Sequence, residues 1–224
     1  MVTTAQLNAY TENAAEAFGS EILSRLLLGE DDVESDDPSA LARGKLLEFC
    51  QAVDPTYLAP PHVKLLVDTL EKVERGELKR LIICLPPQHG KSRLVSQLFP
   101  AWAIGRDPRR MVTLASYGAE LAERNSRGAR DCLGHPRWPW PNVRVDYRTR
   151  SIGHWQTLDG GYIHAVGVGG PLTGFGSDIM IVDDPFKGDG DSDSASIRDS
   201  RWGWFQDVAI TRLSRGGSII VCAT

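Results

Sequence analysis

Residues 81–92 join an apolar run to a turn whose residue types could hold a chain of phosphates. Gly90, Lys91 and Ser92 follow the run and begin a stretch with helical spacing. Backbone N–H groups at such a helix start attract anions, a lysine ammonium can reach β- and γ-phosphates, and a serine hydroxyl can bind Mg²⁺. The usual motif has glycine where this chain has Leu85, so an ordinary strand-to-helix turn is the alternative. The nucleotide-binding residues predicted from this segment are Pro87, Gln88, His89, Gly90, Lys91, Ser92 and Arg93.

A second apolar run, residues 179–182, ends in Asp183 and Asp184. In nucleotide-hydrolysing P-loop proteins, the first acid after such a strand helps to bind Mg²⁺, and the next can orient or deprotonate the attacking water. The carboxyl ends of parallel strands meet at one edge of the sheet, where ligands of open α/β sheets bind. We therefore expect Ser92 and Asp183 to hold magnesium, and Lys91 and Asp184 to be catalytic. By itself, the acid pair could also be a loop cap at a strand end.

The last apolar run, residues 218–224, places the hydroxyl of Thr224 at its end. A strand that delivers a hydroxyl to the same edge could sense the γ-phosphate. A core strand that happens to end in threonine explains the run equally well. A strand at the very end of the chain also leads us to expect that the sequence is the N-terminal part of a longer protein.

Short strands that alternate with helices must position these residues, which predicts an α/β fold with a largely parallel central sheet flanked by helices. The predicted strands are residues 81–85, 111–115, 179–182 and 218–222. Helical spacing of apolar residues predicts helices over residues 1–28, 41–52, 62–74, 90–105 and 118–133. Residues 143–168 predict antiparallel strands with a turn at Gly160 and Gly161. The acidic residues 30–37 predict a linker, and the low-complexity residues 189–200 a mobile loop.

Composition narrows the class of protein further. The 224 residues are 42% hydrophobic and carry a formal net charge of −4, which argues against a charge-driven grip on nucleic acid over the whole surface. No apolar stretch approaches the roughly 20 residues of a membrane helix, so we expect no membrane association. The four cysteines lack the spacing of a zinc site, which favours a reducing, intracellular compartment.

From Cys50 to Thr224 the chain resembles the large terminase subunits of tailed bacteriophages, the motors that package DNA into procapsids. The signature Pro-Pro-Gln-His-Gly-Lys-Ser at residues 86–92 is more specific than a bare P-loop. The other matching features are the helix with His62, Ala115-Ser116-Tyr117, Ser126-Arg127, residues 170–178, Asp183-Asp184-Pro185, Trp204 and Thr211-Arg212-Leu213.

The resemblance implies a P-loop ATPase domain of the additional-strand type over residues 61–224, preceded by a helical region over residues 1–60. It implies ATP and Mg²⁺ as cofactors, Asp184 in the place of the catalytic carboxylate, and Thr224 in the motif that couples hydrolysis to DNA movement. The implied partners are double-stranded DNA, the portal protein, the small terminase subunit and further copies of the chain in a ring; alone, we expect a monomer. The implied location is the cytoplasm of the infected bacterium. We expect the chain to lack the nuclease domain of full-length terminases and therefore expect no DNA cleavage from it.

The chain departs from the family at the positions that commonly carry a catalytic arginine. These positions hold the uncharged Pro87, Gln88, Thr173 and Phe175. An arginine finger is worth about 10³ to 10⁵ in rate, so another residue must replace it, and a neighbouring subunit is the favoured source. The candidates are Arg127, Arg130, Arg148, Arg150, Arg198, Arg201 and Arg212. The alternatives are a superfamily-2-like helicase or remodelling ATPase, and a fragment that binds nucleotide without turnover.

Overall fold

A seven-stranded sheet runs through residues 37–224, the part of the chain that the computed structural model describes. The strand order is β1-β7-β6-β2-β5-β4-β3. Neighbouring strands are parallel from β1 to β5, whereas β4 and β3 run antiparallel to their neighbours. The strands are β1 (Arg80–Cys84), β2 (Met111–Ser116), β3 (Val145–Arg150), β4 (His154–Thr157), β5 (Tyr162–Gly167), β6 (Ser177–Asp183) and β7 (Leu213–Ala223).

The sheet confirms the predicted fold class. The central strands β2 and β6 are buried along nearly their whole length, as expected for parallel strands that are covered on both faces. β7 is inserted between the P-loop strand β1 and the acid-bearing strand β6, and it is the additional strand of the predicted architecture. The antiparallel excursion with its turn at Gly160 and Gly161 is confirmed as well: Gly160 has a φ of +95°, which glycine adopts without strain.

The helices predicted within residues 37–224 are present, with two interruptions. The helical run after the P-loop contains a π-helical turn at Leu94–Leu98, and the helix expected over residues 41–52 is divided by Lys45, whose backbone is extended. The helices are α1 (Pro38–Gly44), α2 (Leu46–Val53), α3 (Pro61–Glu74), α4 (Lys91–Arg93), α5 (Phe99–Arg106), α6 (Ala119–Leu133), α7 (Asp189–Asp193) and α8 (Ala195–Trp204). A second π turn (Phe205–Ala209) and a 3₁₀ turn (Ile210–Arg212) lead from α8 into β7.

Residues 189–200 differ from the loop that their composition predicts. They form α7 and the first part of α8. The side chain of Ser194 accepts a hydrogen bond from the N–H of Ile197, and the buried Trp204 anchors the far end of α8. Ser194 therefore serves as the N-cap that starts a helix within a stretch whose composition suggested none.

Two hydrophobic cores hold the sheet. The larger core joins α1, α2, α3 and α5 to the sheet, and it includes Phe49, Leu70 and Trp102. The smaller core packs Trp204 of α8 and Ala209 of the second π turn against strand residues that include Met180, Val182 and Ile219. The division of the chain at residue 60 stays a prediction, and helices on both sides of that position contribute to the larger core.

The predicted helix over residues 1–28 and nearly all of the acidic linker lie outside the described residues. Within residues 37–224, no helix is both long enough and apolar enough to cross a membrane.

Candidate functional site

The turn after β1 presents backbone N–H groups and a lysine at the carboxyl edge of the sheet. Its last residue, Gly90, has a φ of +76° and is the N-cap of α4, so the helix starts directly at Lys91. Gln88 also adopts a left-handed conformation, with a φ of +63°. The ring Nδ1 of His89 lies 2.8 Å from the carbonyl oxygen of Pro87, which closes the turn on itself. This geometry suits a phosphate chain at the start of a helix.

Lys91, Asp184 and Thr224 meet at one point. The ammonium nitrogen of Lys91 lies 2.6 Å from Asp184 Oδ1 and 3.1 Å from Thr224 Oγ1, and the threonine hydroxyl lies 3.1 Å from the same carboxylate oxygen. They follow or end β1, β6 and β7, which are three adjacent parallel strands. Parallel pairing brings the carboxyl ends of these strands to one edge, as the sequence predicted.

Asp183 lies deeper in the same edge, with only 1% of its surface exposed. Its Oδ2 accepts hydrogen bonds from Ser96 Oγ at 2.8 Å and from Asn125 Nδ2 at 3.2 Å. Burial raises the pKa of Asp183, while hydrogen bonds from Ser96 and Ser92 act in the opposite direction. The second carboxylate oxygen, Oδ1, is buried and has no hydrogen-bond partner among the described residues.

This arrangement fits a magnesium ion. An unpartnered, buried carboxylate oxygen is costly unless a cation or a donor reaches it, and Ser92, the predicted second ligand, lies near enough to the same carboxylate to lower its pKa. In residues 37–224, no group of three or more His, Cys, Asp or Glu side chains is placed to hold a metal. Ser92 and Asp183 would therefore share the ion with phosphate oxygens and water, which is how Mg²⁺ usually binds beside nucleotides.

The backbone around Asp184 is held on both sides. Its N–H donates to the carbonyl of Cys222 in β7, and its carbonyl accepts from the N–H of Tyr117, which follows β2. The φ of Asp184 is +47°, so the chain turns sharply and directs it away from the line of β6. Its side chain keeps 31% of its surface exposed and lines a pocket of about 350 Å³ together with Tyr117, Lys187 and Thr224. A water molecule could reach its carboxylate through this pocket.

The remaining predicted residues lie around this centre. Ser92 is in α4, and Pro87, Gln88 and His89 lie exposed in the turn. Arg93 forms an ion pair with Asp54 at 2.6 Å, just beyond α2. Among the candidate arginines, Arg148 pairs with Asp146, while Arg130, Arg198 and Arg201 donate to backbone carbonyls. None of the seven candidates is among the described residues that line the pocket beside Asp184.

Sequence reasoning missed the residues that hold Asp183. Ser96 lies one helical turn after Ser92, so the spacing of the two hydroxyls was a usable signal. Asn125 follows Ala122 by three residues and precedes Ala129 by four, which places it on the apolar face of α6. A buried polar residue on such a face needs a partner, and the partner is Asp183.

The chain is similar in sequence to large terminase subunits. The family described as "Terminase large subunit, T4likevirus-type, N-terminal" matches residues 82–218, which is more than half of the chain. The terminase large subunit of Enterobacteria phage T3 is 25% identical over 150 residues. This alignment covers 65% of this chain and 25% of the T3 protein.

A solved terminase shares the fold. The large terminase of bacteriophage HK97 superposes with a TM-score of 0.55 at 13% identity, over 81% of this chain and 37% of that one. The large terminase of a thermophilic bacteriophage, in complex with ATP-gamma-S, has a TM-score of 0.40 at 14% identity, over 78% of this chain and 36% of that one. The likeness in fold rests on the HK97 protein. The chain therefore spans a quarter of the T3 protein's length and little more than a third of the HK97 chain.

Proposed function

The chain belongs to the family of T4likevirus-type terminase large subunits, and from this premise we propose that it binds ATP with Mg²⁺ and hydrolyses it to drive double-stranded DNA into a viral procapsid. The observation that carries the proposal is the convergence of Lys91, Asp184 and Thr224 beside the buried Asp183. This group combines a phosphate-binding cation, an exposed carboxylate and a metal-side carboxylate at one sheet edge. Phosphoryl transfer needs these parts together.

Each residue has a distinct role in this proposal. The N–H groups at the start of α4 and the ammonium of Lys91 bind the phosphates, with Pro87, Gln88, His89, Gly90 and Arg93 forming the surrounding turn. Ser92 and Asp183 would hold Mg²⁺, and the ion would supply positive charge beside the phosphate oxygens.

Asp184 is the residue that orients and deprotonates the attacking water. The contacts from Lys91 and Thr224 both reach its Oδ1, so Oδ2 is the oxygen that can accept a hydrogen bond from water. Thr224 touches both the phosphate-binding cation and the catalytic carboxylate. We therefore assign to it the coupling of hydrolysis to movement of the DNA.

The partners follow from the family. We propose that the chain acts in a ring of identical subunits that docks on the portal protein, receives DNA with the small terminase subunit, and works in the cytoplasm of the infected bacterium. A neighbouring subunit in the ring would supply the arginine that the pocket beside Asp184 lacks among its described lining residues. We expect the isolated chain to be a monomer with weak activity and without nuclease activity.

Phosphate release from Mg-ATP tests the proposal. The measurement compares the natural chain with Lys91→Ala and Asp184→Asn over a wide range of protein concentration, and Lys64→Ala on the exposed side of α3 is the matched control for loss of a lysine. We expect turnover that rises faster than linearly with protein, is abolished in both site variants and is retained in the control. Mixing an inactive arginine variant with Lys91→Ala should restore part of the activity if the arginine comes from a neighbour.

Three outcomes would contradict the proposal. Stimulation by single strands together with strand separation would favour the superfamily-2-like helicase, since the packaging motor acts on intact duplex. Nucleotide binding that requires Lys91 but gives no turnover at any protein concentration would favour a binding fragment, an alternative that the uncharged arginine-finger positions support. Cleavage of plasmid DNA in Mg²⁺ or Mn²⁺ would overturn the expectation that the chain has no nuclease activity.

A further inference from the structure

The buried carboxylate Asp183 is held by groups from two different helices. Ser96 belongs to the π turn that continues the P-loop helix, and Asn125 belongs to α6. Both donate to Oδ2, which leaves Oδ1 as the oxygen for another ligand. Two donors on one oxygen fix the plane of the carboxylate, so the other oxygen keeps one direction.

Asn125 is itself fixed by a further contact. Only 1% of its surface is exposed, and its Oδ1 accepts a hydrogen bond from Gln97 Nε2 at 3.1 Å. This contact sets which end of the Asn125 amide faces Asp183, because an amide oxygen satisfied by Gln97 leaves the NH₂ group to donate to the carboxylate. Gln97 and Ser96 are adjacent residues of the same π turn. Such turns recur at functional sites, because they redirect side chains within a helix.

Gly128 makes room for this contact. A Cβ atom at this position would lie 2.6 Å from Gln97 Oε1 and 2.7 Å from its Cδ, which is closer than real contacts allow. Any larger residue at position 128 would therefore push the Gln97 side chain away from Asn125. A chain of contacts thus runs from Gly128 through Gln97 and Asn125 to the Asp183 carboxylate.

We propose that Asn125, oriented by Gln97, is a positioning residue that fixes the metal-side carboxylate so that Oδ1 of Asp183 faces the magnesium beside Ser92. The inference rests on the proposed function, because it assumes Mg-nucleotide at this site. Ser96 lies on the same helical run as Ser92, whereas Asn125 ties the carboxylate to α6. Removing a group that hydrogen-bonds to a metal ligand typically lowers metal affinity about 10- to 100-fold.

The test measures binding of a fluorescent ATP analogue by the whole chain while Mg²⁺ is varied. We expect Asn125→Ala to raise the Mg²⁺ concentration at half-maximal binding about tenfold, with nucleotide binding in the absence of divalent cation unchanged. Gln97→Met, which keeps the volume but removes the donor, and Gly128→Ala should each give a smaller shift in the same direction. Ser126→Ala is the matched control, because this buried residue of α6 bonds to Ile152 and Trp155 and not to Asp183. Its Mg²⁺ concentration at half-maximal binding should equal that of the natural chain.

Circular dichroism and thermal unfolding identify variants that have lost the fold. If Asn125→Ala does not fold, Gln97→Met gives the result, because its side chain is only partly buried. The positioning role would be overturned if the folded Asn125 and Gln97 variants showed the Mg²⁺ dependence of the natural chain, or if Ser126→Ala showed an equal shift. The proposed function would not be affected by either outcome. Failure of the natural chain to bind nucleotide at any Mg²⁺ concentration would overturn the proposed function together with this inference.

Discussion

The two carboxylates at the end of β6 are neighbours in sequence, yet they lie in opposite environments. We call Asp183 with Ser96 and Asn125 the inner half of the site, and Lys91 with Asp184 and Thr224 the outer half. The inner half is buried and joined by neutral donors, whereas in the outer half Asp184 is partly exposed and meets an ammonium. The inner half is thus built to hold one geometry, and the outer half to exchange contacts with phosphate and water.

Backbone conformation separates the halves in the same way. Among residues 37–224, the non-glycine residues with positive φ are Gln88 and Asp184; Asp184 belongs to the outer half, and Gln88 lies in the turn that leads to its Lys91. Residues in this conformation cost free energy and persist where the surroundings impose them, often at functional sites. The predictions that follow test whether the inner half governs metal binding and the outer half governs turnover.

The largest effect is expected from exchanging the two acids for amides. Asp184→Asn should lower turnover about 10²- to 10⁴-fold, because the group that accepts the proton from water is lost, while Mg-nucleotide still binds. Asp183→Asn should instead weaken Mg-dependent nucleotide binding, because the amide carries no charge for the metal. Steady-state phosphate release and equilibrium binding, measured on both variants, separate the two effects. Equal loss of binding in both variants would show that the halves do not divide the work.

Thr224 gives the next largest effect. Thr224→Val removes the hydroxyl that bonds to Lys91 and Asp184 while it keeps the shape of the side chain. We expect turnover to fall about tenfold, which corresponds to the loss of roughly one charge-assisted hydrogen bond, with nucleotide affinity nearly unchanged. Thr224→Ser should retain the natural rate. If Thr224→Val lowers nucleotide affinity but leaves turnover unchanged, Thr224 helps to bind phosphate and has no catalytic role.

The outer half was largely predictable from the sequence. Its residues follow apolar β-branched runs, and parallel pairing of such runs must bring their carboxyl ends together. The order of β1, β7 and β6 does this for Lys91, Thr224 and Asp184.

The inner half was less predictable, because its contacts depend on tertiary geometry. Asn125 of α6 reaches Asp183 across the tertiary structure, and Gln97, which contacts Asn125, lies in a π turn that the sequence did not indicate. Residues 189–200 show the opposite error. Their composition suggested a loop, but a single cap at Ser194 and the anchor Trp204 are enough to form a helix.

Acid should destabilise the fold through a histidine that lies away from both halves, His164 of β5. His164 stacks on Phe175 at 3.9 Å, and burial together with the nearby His154 lowers its pKa to about 4. Between pH 6.5 and 4, the unfolded chain therefore binds more protons than the folded chain. The free energy of unfolding has its full value above pH 6.5 and falls as the pH decreases towards 4.

We expect this loss to be about 1 to 2 kcal/mol, because partial exposure of the ring reduces the full effect of the shift. Urea unfolding at a series of pH values measures it. His164→Phe should flatten this part of the profile, and His135→Gln, at a histidine that follows α6, should not. If the free energy of unfolding of His164→Phe depends on pH as in the natural chain, another group causes the acid sensitivity. In either case, the pH dependence of turnover above pH 6.5 reflects groups of the candidate site.

The smallest effect concerns backbone strain in the turn that leads to Lys91 of the outer half. A left-handed conformation costs a residue with a Cβ about 1 to 2 kcal/mol, and glycine regains this at a smaller cost in chain entropy. Gln88 is exposed and has a φ of +63°, so Gln88→Gly should raise the free energy of unfolding by about 0.5 to 1 kcal/mol, whereas Gln88→Ala should leave it nearly unchanged. Gly90→Ala should act in the opposite direction, because it introduces a Cβ at a φ of +76°. Urea midpoints with unchanged slopes measure all three, and destabilisation by Gln88→Gly would mean that the side chain, rather than the strand ends alone, holds the turn in place.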